Sequence, residues 1–383
     1  MVHASSLGRF VTCIDDAQNA GPTLDGHAVR FARNAAGGCG LDQDAAWLDR
    51  DAAFYFLLVR PMDALSELLG ALRLTSGLFL RAEFTAPWCI DSAPGPEDVA
   101  HLLPNAEHVS IYHLLTEGSC LARLPDSPET IEVHRGELIM FPHGHGHLLG
   151  SDLNRTPVPA AQLVRPTAID AMFQIAHGGG GERTRFVCGF LACDKRLCRP
   201  LLQALPRMLH VPLSQGEQAS WLTGLLERGA LETQAPTAGT NAMLAKLSEL
   251  LFIEAIRRHT ESLPDDHTGW LAAVRDPLVG RALALLHADP AHSWTVEDLA
   301  RRVGSSRTVI GERFVTLIGE APMTYLTRWR LALASKELGS TREPIARLAQ
   351  RFGYESEAAF NRAFKREFGL PPAAWRRMAR PGH

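Results

Sequence analysis

Three cysteines in the middle of the chain, Cys188, Cys193 and Cys198, follow one another at intervals of five residues. A thiol can be oxidised to a sulfenic acid or a disulfide when its pKa is low enough to supply thiolate. A buried free cysteine is more often a small apolar side chain. The chain has seven cysteines, and no secretory leader follows Met1, so reduced thiols are the default expectation. The spacing alone leaves both interpretations open.

Charged residues are distributed unevenly along the chain. The 383 residues carry a formal net charge of −3, with 46% apolar and 21% charged residues. This composition excludes a disordered tail protein, a collagen-like chain and a disulfide-rich miniprotein. Pro277 to His383, however, contains 17 basic and 10 acidic residues, whereas the rest has 22 basic and 32 acidic residues. A basic end on an acidic body indicates a partner with a phosphate backbone.

The basic end contains an internal repeat. Each copy has the pattern of a short helix, a turn with glycine and a second helix, which predicts a helix-turn-helix. The copies match at offsets of 49 and then 50 residues: Leu299/Leu348, Ala300/Ala349, Gly304/Gly353, Phe314/Phe364, Gly319/Gly369, Pro322/Pro372 and Tyr325/Trp375. Thr295 to Asp298 has the spacing of a capping box. Pro322–Leu338 predicts a helical spacer of roughly 25 Å, which suits two recognition helices in successive major grooves.

Residues 77–200 predict a β-rich region, because short runs of strand-forming residues alternate with turn residues. The predicted strands are Leu78–Phe84, Val109–Leu115, Cys120–Leu124, Thr130–Val133, Leu138–Phe141 and Arg185–Leu191. Runs of this length favour a small antiparallel barrel or jelly roll. From Pro200 onward the pattern becomes helical, with an apolar stripe in residues 244–256 that fits either a core face or a dimer seam.

Residues 1–61 differ in pattern from the rest of the chain. They are rich in Ala, Gly and Asp and show no sustained period, whereas an amphipathic helical pattern begins at Met62. One explanation is that translation starts at Met62 and the preceding residues come from an overextended gene model. The other is a disordered or lightly structured arm. The first explanation would remove Cys13 and Cys39 from any redox chemistry.

The second copy of the repeat carries a specific run of residues. It reads Ala349-Gln350-Arg351-Phe352-Gly353-Tyr354-Glu355-Ser356, then Phe360-Asn361-Arg362-Ala363-Phe364-Lys365-Arg366-Glu367-Phe368-Gly369 and Pro371-Pro372-Ala373-Ala374-Trp375-Arg376. This run resembles the signature of the AraC-type transcriptional regulators. Upstream, a further set resembles the cupin-type sensor domain of one branch of that family: Ala86-Pro87-Trp88, Phe141-Pro142-His143-Gly144 and Val187-Cys188-Gly189-Phe190. The resemblance spans roughly residues 62–380.

The resemblance implies an α+β protein. Its N-terminal part would be a cupin-like antiparallel β-barrel, and its C-terminal part an all-α domain with two helix-turn-helix units. The expected boundaries are an extension at 1–61, a cupin-like sensor domain with a helical segment at 62–262, a linker at 263–275 and an AraC-type DNA-binding domain at 276–383.

The resemblance also assigns the residues that would face DNA. In the first recognition helix these are Ser306, Arg307, Thr308, Gly311 and Glu312, and in the second Glu357, Ala358, Ala359, Asn361 and Arg362. Arginine can donate to guanine, asparagine can pair with adenine, and glutamate can accept from cytosine. Four further residues are expected to contact phosphates or to be solvated surface charges: Arg328, Arg330, Lys365 and Arg366.

The cupin-like part implies a possible metal site. The second cupin motif is present from Gly136 to His147, but the first has Ile111 where a histidine is usual. His113, Glu117 and His147 would form a 2-His-1-carboxylate set, which can hold non-heme iron or zinc. The missing histidine weakens this expectation.

The same resemblance gives the cysteines a role. Cys188 occupies the recurrent Val-Cys-Gly position of a branch that includes regulators responding to oxidants through cysteines. Cys89 and Cys193 are the candidate partners of a redox-active Cys188. A small organic effector is the alternative signal.

The sequence therefore predicts a sequence-specific DNA-binding transcriptional regulator, not an enzyme. Its cupin-like domain would sense a small effector or redox signal and control promoter binding or activation. The expected partners are double-stranded promoter DNA, a small-molecule or oxidant effector, a second copy in a homodimer, and RNA polymerase if the protein is an activator. No cofactor is expected apart from a possible divalent metal.

No apolar run approaches the roughly 18 residues of a membrane span, so no membrane partner is expected. The predicted location is the bacterial cytoplasm, at the nucleoid. The alternative function is a cupin-type metal-dependent enzyme fused to a DNA-binding module, which the incomplete metal set disfavours.

Overall fold

The computed structural model describes residues 63–72, 74–93, 106–166, 173–213, 224 and 239–378. The proposed start at Met62 and the segment 1–61, with Cys13 and Cys39, lie outside these residues. The described chain is a mixed α+β structure in which two sheets are followed by helices. None of its helices combines the length and the apolar character needed to cross a bilayer.

The described chain begins with helix α1 (Ala64–Ala71), as the spacing of its leucines predicts. Asp63 caps this helix, because its carboxylate accepts from the Ser66 amide at 2.9 Å. The strands are β1 (Thr75–Thr85), β2 (Cys89–Ser92), β3 (His108–Glu117), β4 (Ser119–Arg123), β5 (Thr130–His134), β6 (Glu137–Phe141), β7 (His147–Gly150), β8 (Val158–Pro159), β9 (Arg165–Pro166), β10 (Phe173–Gly178), β11 (Arg183–Cys193) and β12 (Leu209–Pro212). Helices α2 (Ala160–Leu163) and α3 (Arg199–Ala204) lie among them. All six strands expected from the sequence are confirmed, within a residue or a few at each end.

The strands form two sheets. One has seven strands in the order β12-β6-β3-β11-β1-β10-β9, and the other has five in the order β5-β4-β7-β2-β8. In the larger sheet, β11 runs antiparallel to both β1 and β3, so Cys188 lies between Leu80 and His113. Both sheets contribute to one buried apolar cluster, which includes Phe84, Val133 and Phe186. Cys188 belongs to this cluster, and the rings of His113 and His147 lie against its Phe141.

Helix α4 (Thr240–Ser262) packs on the opposite face of the seven-stranded sheet. Its apolar stripe is buried there: Leu244, Leu247, Leu251 and Ile256 are each less than 9% exposed. The Tyr112 hydroxyl on β3 lies 2.7 Å from the Ser248 hydroxyl on α4. The stripe is therefore a core face, and the dimer-seam interpretation of these residues is wrong.

Residues 270–378, which include the described basic end, form a helical region. Its helices are α5 (Trp270–Arg275), α6 (Val279–Ala288), α7 (Val296–Val303), α8 (Arg307–Ile318), α9 (Pro322–Ser340), α10 (Ile345–Arg351), α11 (Glu357–Phe368) and α12 (Pro372–Met378). Helix α5 falls inside the segment 263–275. The predicted spacer corresponds to α9, whose 19 residues give a length of roughly 28 Å.

Two helix pairs, α7–α8 and α10–α11, follow the two copies of the repeat. Gly304 and Gly353 adopt φ values of 72° and 76° in the turns, a left-handed region that glycine enters without steric cost. Ser306 and Ser356 cap α8 and α11, and each hydroxyl accepts a backbone amide at 3.2 Å. Thr295 caps α7 in the same way, accepting from the Asp298 amide at 3.0 Å. The repeat in the sequence is thus a repeat in local structure.

The two pairs differ in their cores. Buried residues of α7 and α8 belong to a large apolar cluster that continues through α6, α5 and α4 to the seven-stranded sheet. The pair α10–α11 has a smaller cluster of its own, built from α9, α10 and α11 with Trp375 of α12 packed against it. Among the described residues, this smaller cluster contains no side chain from the sheets.

Candidate nucleic-acid interface and a buried histidine–cysteine cluster

Helix α8 presents a polar face to solvent. Arg307, Thr308 and Glu312 are exposed, while the opposite face of the helix is buried. Ser306 stands just before the helix, where its hydroxyl stabilises the first turn. Arg307 donates to the Glu297 carboxylate at 2.7 Å, but both side chains are more than half exposed. An exposed ion pair of this kind is weak, so Arg307 can exchange it for another acceptor.

Helix α11 has a matching face. Glu357, Arg362 and Lys365 are exposed, and Asn361 is half-buried beside them. On the other side of the helix Phe364 is fully buried. The structure thus brings the second set of sequence-predicted residues onto one accessible helix face.

Two arginines near these helices have internal partners. Arg330 donates to the backbone carbonyls of Pro290 and His292, the second at 2.7 Å. Arg328 forms an ion pair with Glu320. Arg330 therefore stabilises the protein's own backbone, whereas Lys365 remains an exposed cation.

The three predicted metal ligands do not come together. Nε2 of His113 and Nε2 of His147 are 2.7 Å apart, but Glu117 accepts from Arg185 at 2.9 Å. The register of β3 and β11 shifts between Arg185 and Phe186, and this bulge turns Glu117 away from the face that carries His113. No group of three His, Cys, Asp or Glu side chains in the described part of the chain is placed to hold a metal. The predicted set is corrected to a histidine pair.

Cys188 extends this pair into a buried chain of hydrogen bonds. Its sulfur lies 2.9 Å from His113 Nδ1, and His147 Nδ1 lies 3.0 Å from the His145 carbonyl oxygen. A carbonyl can only accept, so His147 carries its proton on Nδ1 and accepts at Nε2 from His113. His113 then accepts at Nδ1 from the Cys188 thiol. All three side chains are therefore neutral, with every donor directed the same way.

Burial explains why the neutral forms are stable. Desolvation lowers the pKa of His147 to about 4, and together with the neighbouring His147 it lowers the pKa of His113 well below its usual range. Burial also raises the pKa of the Cys188 thiol. The reactive thiolate is thus disfavoured at Cys188.

The other candidate cysteines occupy different places. Cys89 on β2 is buried and free, as are Cys120 and Cys188 among the described residues. Cys193, at the end of β11, is joined by a disulfide to Cys198, just before α3. Cys193 is therefore placed to pair with Cys198, not with Cys188.

Comparison with known proteins accounts for both parts of the chain. Residues 63–261 match the family described as Cupin, and residues 299–378 match the family described as Helix-turn-helix domain. A putative AraC-like transcription regulator of Streptomyces antibioticus is 31% identical over 322 residues, covering 84% of this chain and 100% of the relative. The chain belongs to the AraC family of transcription regulators.

Other relatives of this AraC-family protein have similar descriptions. The HTH-type transcriptional regulator AlkR of Acinetobacter baylyi is 30% identical over 326 residues, covering 83% of this chain and 100% of AlkR. Among solved structures, the DNA-binding domain of AdpA in complex with a target DNA is 32% identical; 28% of this chain and 99% of that chain are covered, with a TM-score of 0.27. The two family matches and the curated relatives together make the chain a DNA-binding transcriptional regulator with a cupin domain.

Sequence reasoning missed two features of this AraC-family regulator. The contact of His113 with His147 and Cys188 joins residues 34 and 75 positions apart, which no local pattern encodes. The pairing of Cys193 with Cys198 had a visible signal in the five-residue spacing, but that spacing also linked Cys188 to Cys193. Only the turn between β11 and α3 distinguishes the two possibilities.

The buried thiols give a direct test of the cysteine environments. We expect Cys89, Cys120 and Cys188 in the folded AraC-family regulator to react with iodoacetamide about 100-fold more slowly than in guanidinium, because burial raises the pKa of each thiol. Peptide mass spectrometry after timed labelling measures each site separately. Labelling of native Cys188 as fast as in the unfolded chain would contradict this assignment.

Proposed function

We propose that the protein binds promoter DNA sequence-specifically through two helix-turn-helix units, α7–α8 and α10–α11. The observation that carries this proposal is the pair of capped, solvent-exposed helix faces on α8 and α11. Helix α9 joins the two units, and its length is close to the spacing of successive major grooves. We place the units in a DNA-binding domain at 276–383; the proposed linker 263–275 before it includes the packed helix α5.

The exposed side chains suit base recognition. Arg307 and Arg362 can each donate two hydrogen bonds to a guanine, and Asn361 can pair with an adenine. Glu312 and Glu357 can accept from cytosine, and Thr308 can contact either kind of base. Lys365 lies one turn after Asn361 and suits a phosphate contact. The Ser306 hydroxyl stabilises the first turn of α8 and, in our proposal, also contacts a phosphate.

Two substitutions on α11 separate base contacts from phosphate contacts. We expect Arg362→Ala to weaken operator binding about tenfold and to relax the base preference at one position. Lys365→Ala should weaken binding to all sequences and reduce the slope of log K against log salt by about one. Fluorescence anisotropy with operator and base-substituted duplexes at several salt concentrations measures both effects.

The proposal as a whole is tested with the DNA that flanks the protein's own gene. We expect affinity at least about 1,000-fold above that for random duplex at matched salt. The double variant Glu355→Gln with Arg351→Gln, changed outside the proposed contacts, is the control. Equal affinity for flanking and random DNA would overturn sequence-specific binding.

We also propose that the cupin part, residues 62–262, controls DNA binding in response to a small effector or a redox signal. A cavity of about 210 Å³ supports a route for control, because its lining includes Arg196 and Arg199 from the cupin part and Trp270, Arg328 and Phe368 from the helices. A small molecule bound in this cavity would contact both parts at once. A homodimer on DNA, and contact with RNA polymerase in an activator, complete the proposed function.

A further inference from the structure

We infer that Cys193 and Cys198 are a redox modification site whose disulfide holds the cupin part against the second helix pair. This inference rests on the proposed function, since it specifies how a redox signal reaches the DNA-binding helices. The two thiols of this site are distinct from the buried thiol of Cys188. The reactant is a two-electron oxidant of the peroxide class.

The two cysteines enclose a compact turn. Their Cα atoms are 6.6 Å apart, and four residues separate them. The Asp194 carboxylate accepts from the amides of Arg196 and Leu197 at 2.9 and 3.1 Å, and its carbonyl accepts from the Cys198 amide at 2.9 Å. The disulfide closes this turn into a ring, so its presence restricts where the Arg196 side chain can go.

Arg196 connects the turn to α12, the last helix that the structure describes. Its guanidinium donates to both oxygens of Glu107, at 2.7 and 2.8 Å. The same guanidinium lies 4.3 Å from the ring centroid of Trp375 on α12, a cation–π contact. Arg199, the residue after Cys198, lies 3.9 Å from Glu367 on α11. Arg199 thus reaches α11 of the second pair, and Arg196 reaches α12, which packs against that pair.

Trp375 contacts both Arg196 and the recognition helix α11. Its ring packs against Phe364 and Phe368 of α11, with centroids 5.6 and 5.0 Å away. Its Nε1–H donates to the Ser335 carbonyl on α9 at 3.3 Å. Since the core of the second pair contains no described side chain from the sheets, the arginine contacts form a polar link between them. The first pair needs no such link, because it shares the core of the sheet.

The exposure of the two sulfurs decides the order of the reaction. Cys193 is half-buried and Cys198 is 1% exposed, so the oxidant meets Cys193 first. The Cys193 thiolate attacks a peroxide oxygen, the O–O bond breaks, and sulfenic acid and hydroxide form.

Cys198 then completes the exchange. Its sulfur attacks the sulfenyl sulfur of Cys193, the S–S bond forms, the S–O bond breaks and water leaves. Two thiols and one hydrogen peroxide give one disulfide and two waters. Each sulfur loses one electron, and the peroxide takes up both. A dithiol reductant reverses the reaction by exchange.

The oxidised state is the one that favours DNA binding. The closed turn holds Arg196 over Trp375 and thereby holds α11 in one position relative to the first pair. A preorganised second unit loses less conformational freedom on binding, so the oxidised protein should bind operator about fivefold more tightly than the reduced protein.

The test uses the full chain, treated with hydrogen peroxide or dithiothreitol, and a duplex from the DNA flanking its gene. We expect the fivefold difference in wild type, and mass spectrometry should find the Cys193–Cys198 peptide only after peroxide. The double variant Cys193→Ser with Cys198→Ser should bind like the reduced protein in both conditions. Arg196→Ala should also lose the difference while still forming the disulfide, and Lys195→Ala, on the same turn but exposed, should keep it.

Each other outcome has a distinct meaning. A disulfide that forms without changing affinity, or a difference that persists in the double serine variant, would overturn the inference. Because a serine variant can misfold, the comparison of Arg196→Ala with Lys195→Ala tests the same inference without changing the cysteines. Failure to distinguish operator from random DNA in either redox state would instead overturn the proposed function.

Discussion

Replacement of Phe364 by alanine is expected to cost about 3–5 kcal/mol and to unfold the helices α10–α12 selectively. Phe364 is fully buried at the centre of the smaller cluster, with the rings of Phe360, Phe368 and Trp375 within 6 Å of its own. Removing its ring leaves a cavity that the small cluster cannot refill from the sheets. The loss should therefore stay within the second pair.

Phe314, its counterpart in the first copy, is expected to behave differently. It is also fully buried, but it belongs to the large cluster that reaches the seven-stranded sheet. Phe314→Ala should therefore lower the free energy of unfolding of the sheets and helices together. Val315→Ala, at an exposed position on the same helix, is the control and should change stability by less than about 0.5 kcal/mol.

Hydrogen exchange distinguishes the two variants. We expect Phe364→Ala to speed exchange in residues 345–378 and to leave the sheets protected, whereas Phe314→Ala should speed exchange throughout. Operator affinity of the first variant should drop towards that of a single helix pair. Uniform acceleration of exchange in Phe364→Ala would show that the two cores are not separate.

The second large effect is a loss of stability in mild acid that comes from His287. This residue lies on α6, where its Nε2 is 2.8 Å from the Tyr325 hydroxyl and its ring is 4.4 Å from that of Trp329. Burial lowers its pKa to about 4. The unfolded chain takes up a proton near the ordinary value of about 6.5, whereas the folded chain does not.

The sign follows from this difference in proton uptake. The stability contributed by neutral His287 is complete above about pH 6.5 and is lost as the pH falls towards 4. Between pH 8 and pH 5 this residue alone should account for about 2 kcal/mol of lost stability. Guanidinium unfolding at both pH values, on wild type and His287→Gln, should show that difference in pH dependence. The control is His134→Gln, at an exposed position, whose stability should depend on pH as in the wild type. A pH dependence of stability in His287→Gln equal to that of the wild type would contradict the assignment.

Much of the helical architecture is predictable because its signals are local. The glycines at 304 and 353 and the capping residues Thr295 and Ser356 mark helix ends within a few residues of the chain. Six strands are likewise encoded by runs of strand-forming residues: β1, β3, β4, β5, β6 and β11. The shortest strands have no such local signal, because β8 and β9 have two residues each and depend on their pairing partners.

The buried histidine–cysteine cluster is less predictable because its contacts are distant in sequence. Strand alternation places His113 and Glu117 on one face, but the bulge beside Phe186 reverses Glu117. From the sequence alone, Arg330 is expected to be a surface cation. The fold shows instead that its guanidinium donates to the backbone carbonyls of Pro290 and His292, just before α7. Spacing alone cannot reveal such a contact.

The large apolar cluster limits where the gene can recombine. Leu271 and Leu283 are at most 1% exposed, and they share this cluster with residues of α4 and the seven-stranded sheet. A crossover near Pro264 would place these leucines against the α4 and sheet residues of a different protein. Those residues would not match the leucines in shape, so apolar surface would be left in contact with water. A crossover beyond α9 would exchange one helix pair and leave the cluster whole. The last helices can thus be exchanged without refitting the large cluster, as long as the partners of Arg196 and Arg199 are kept.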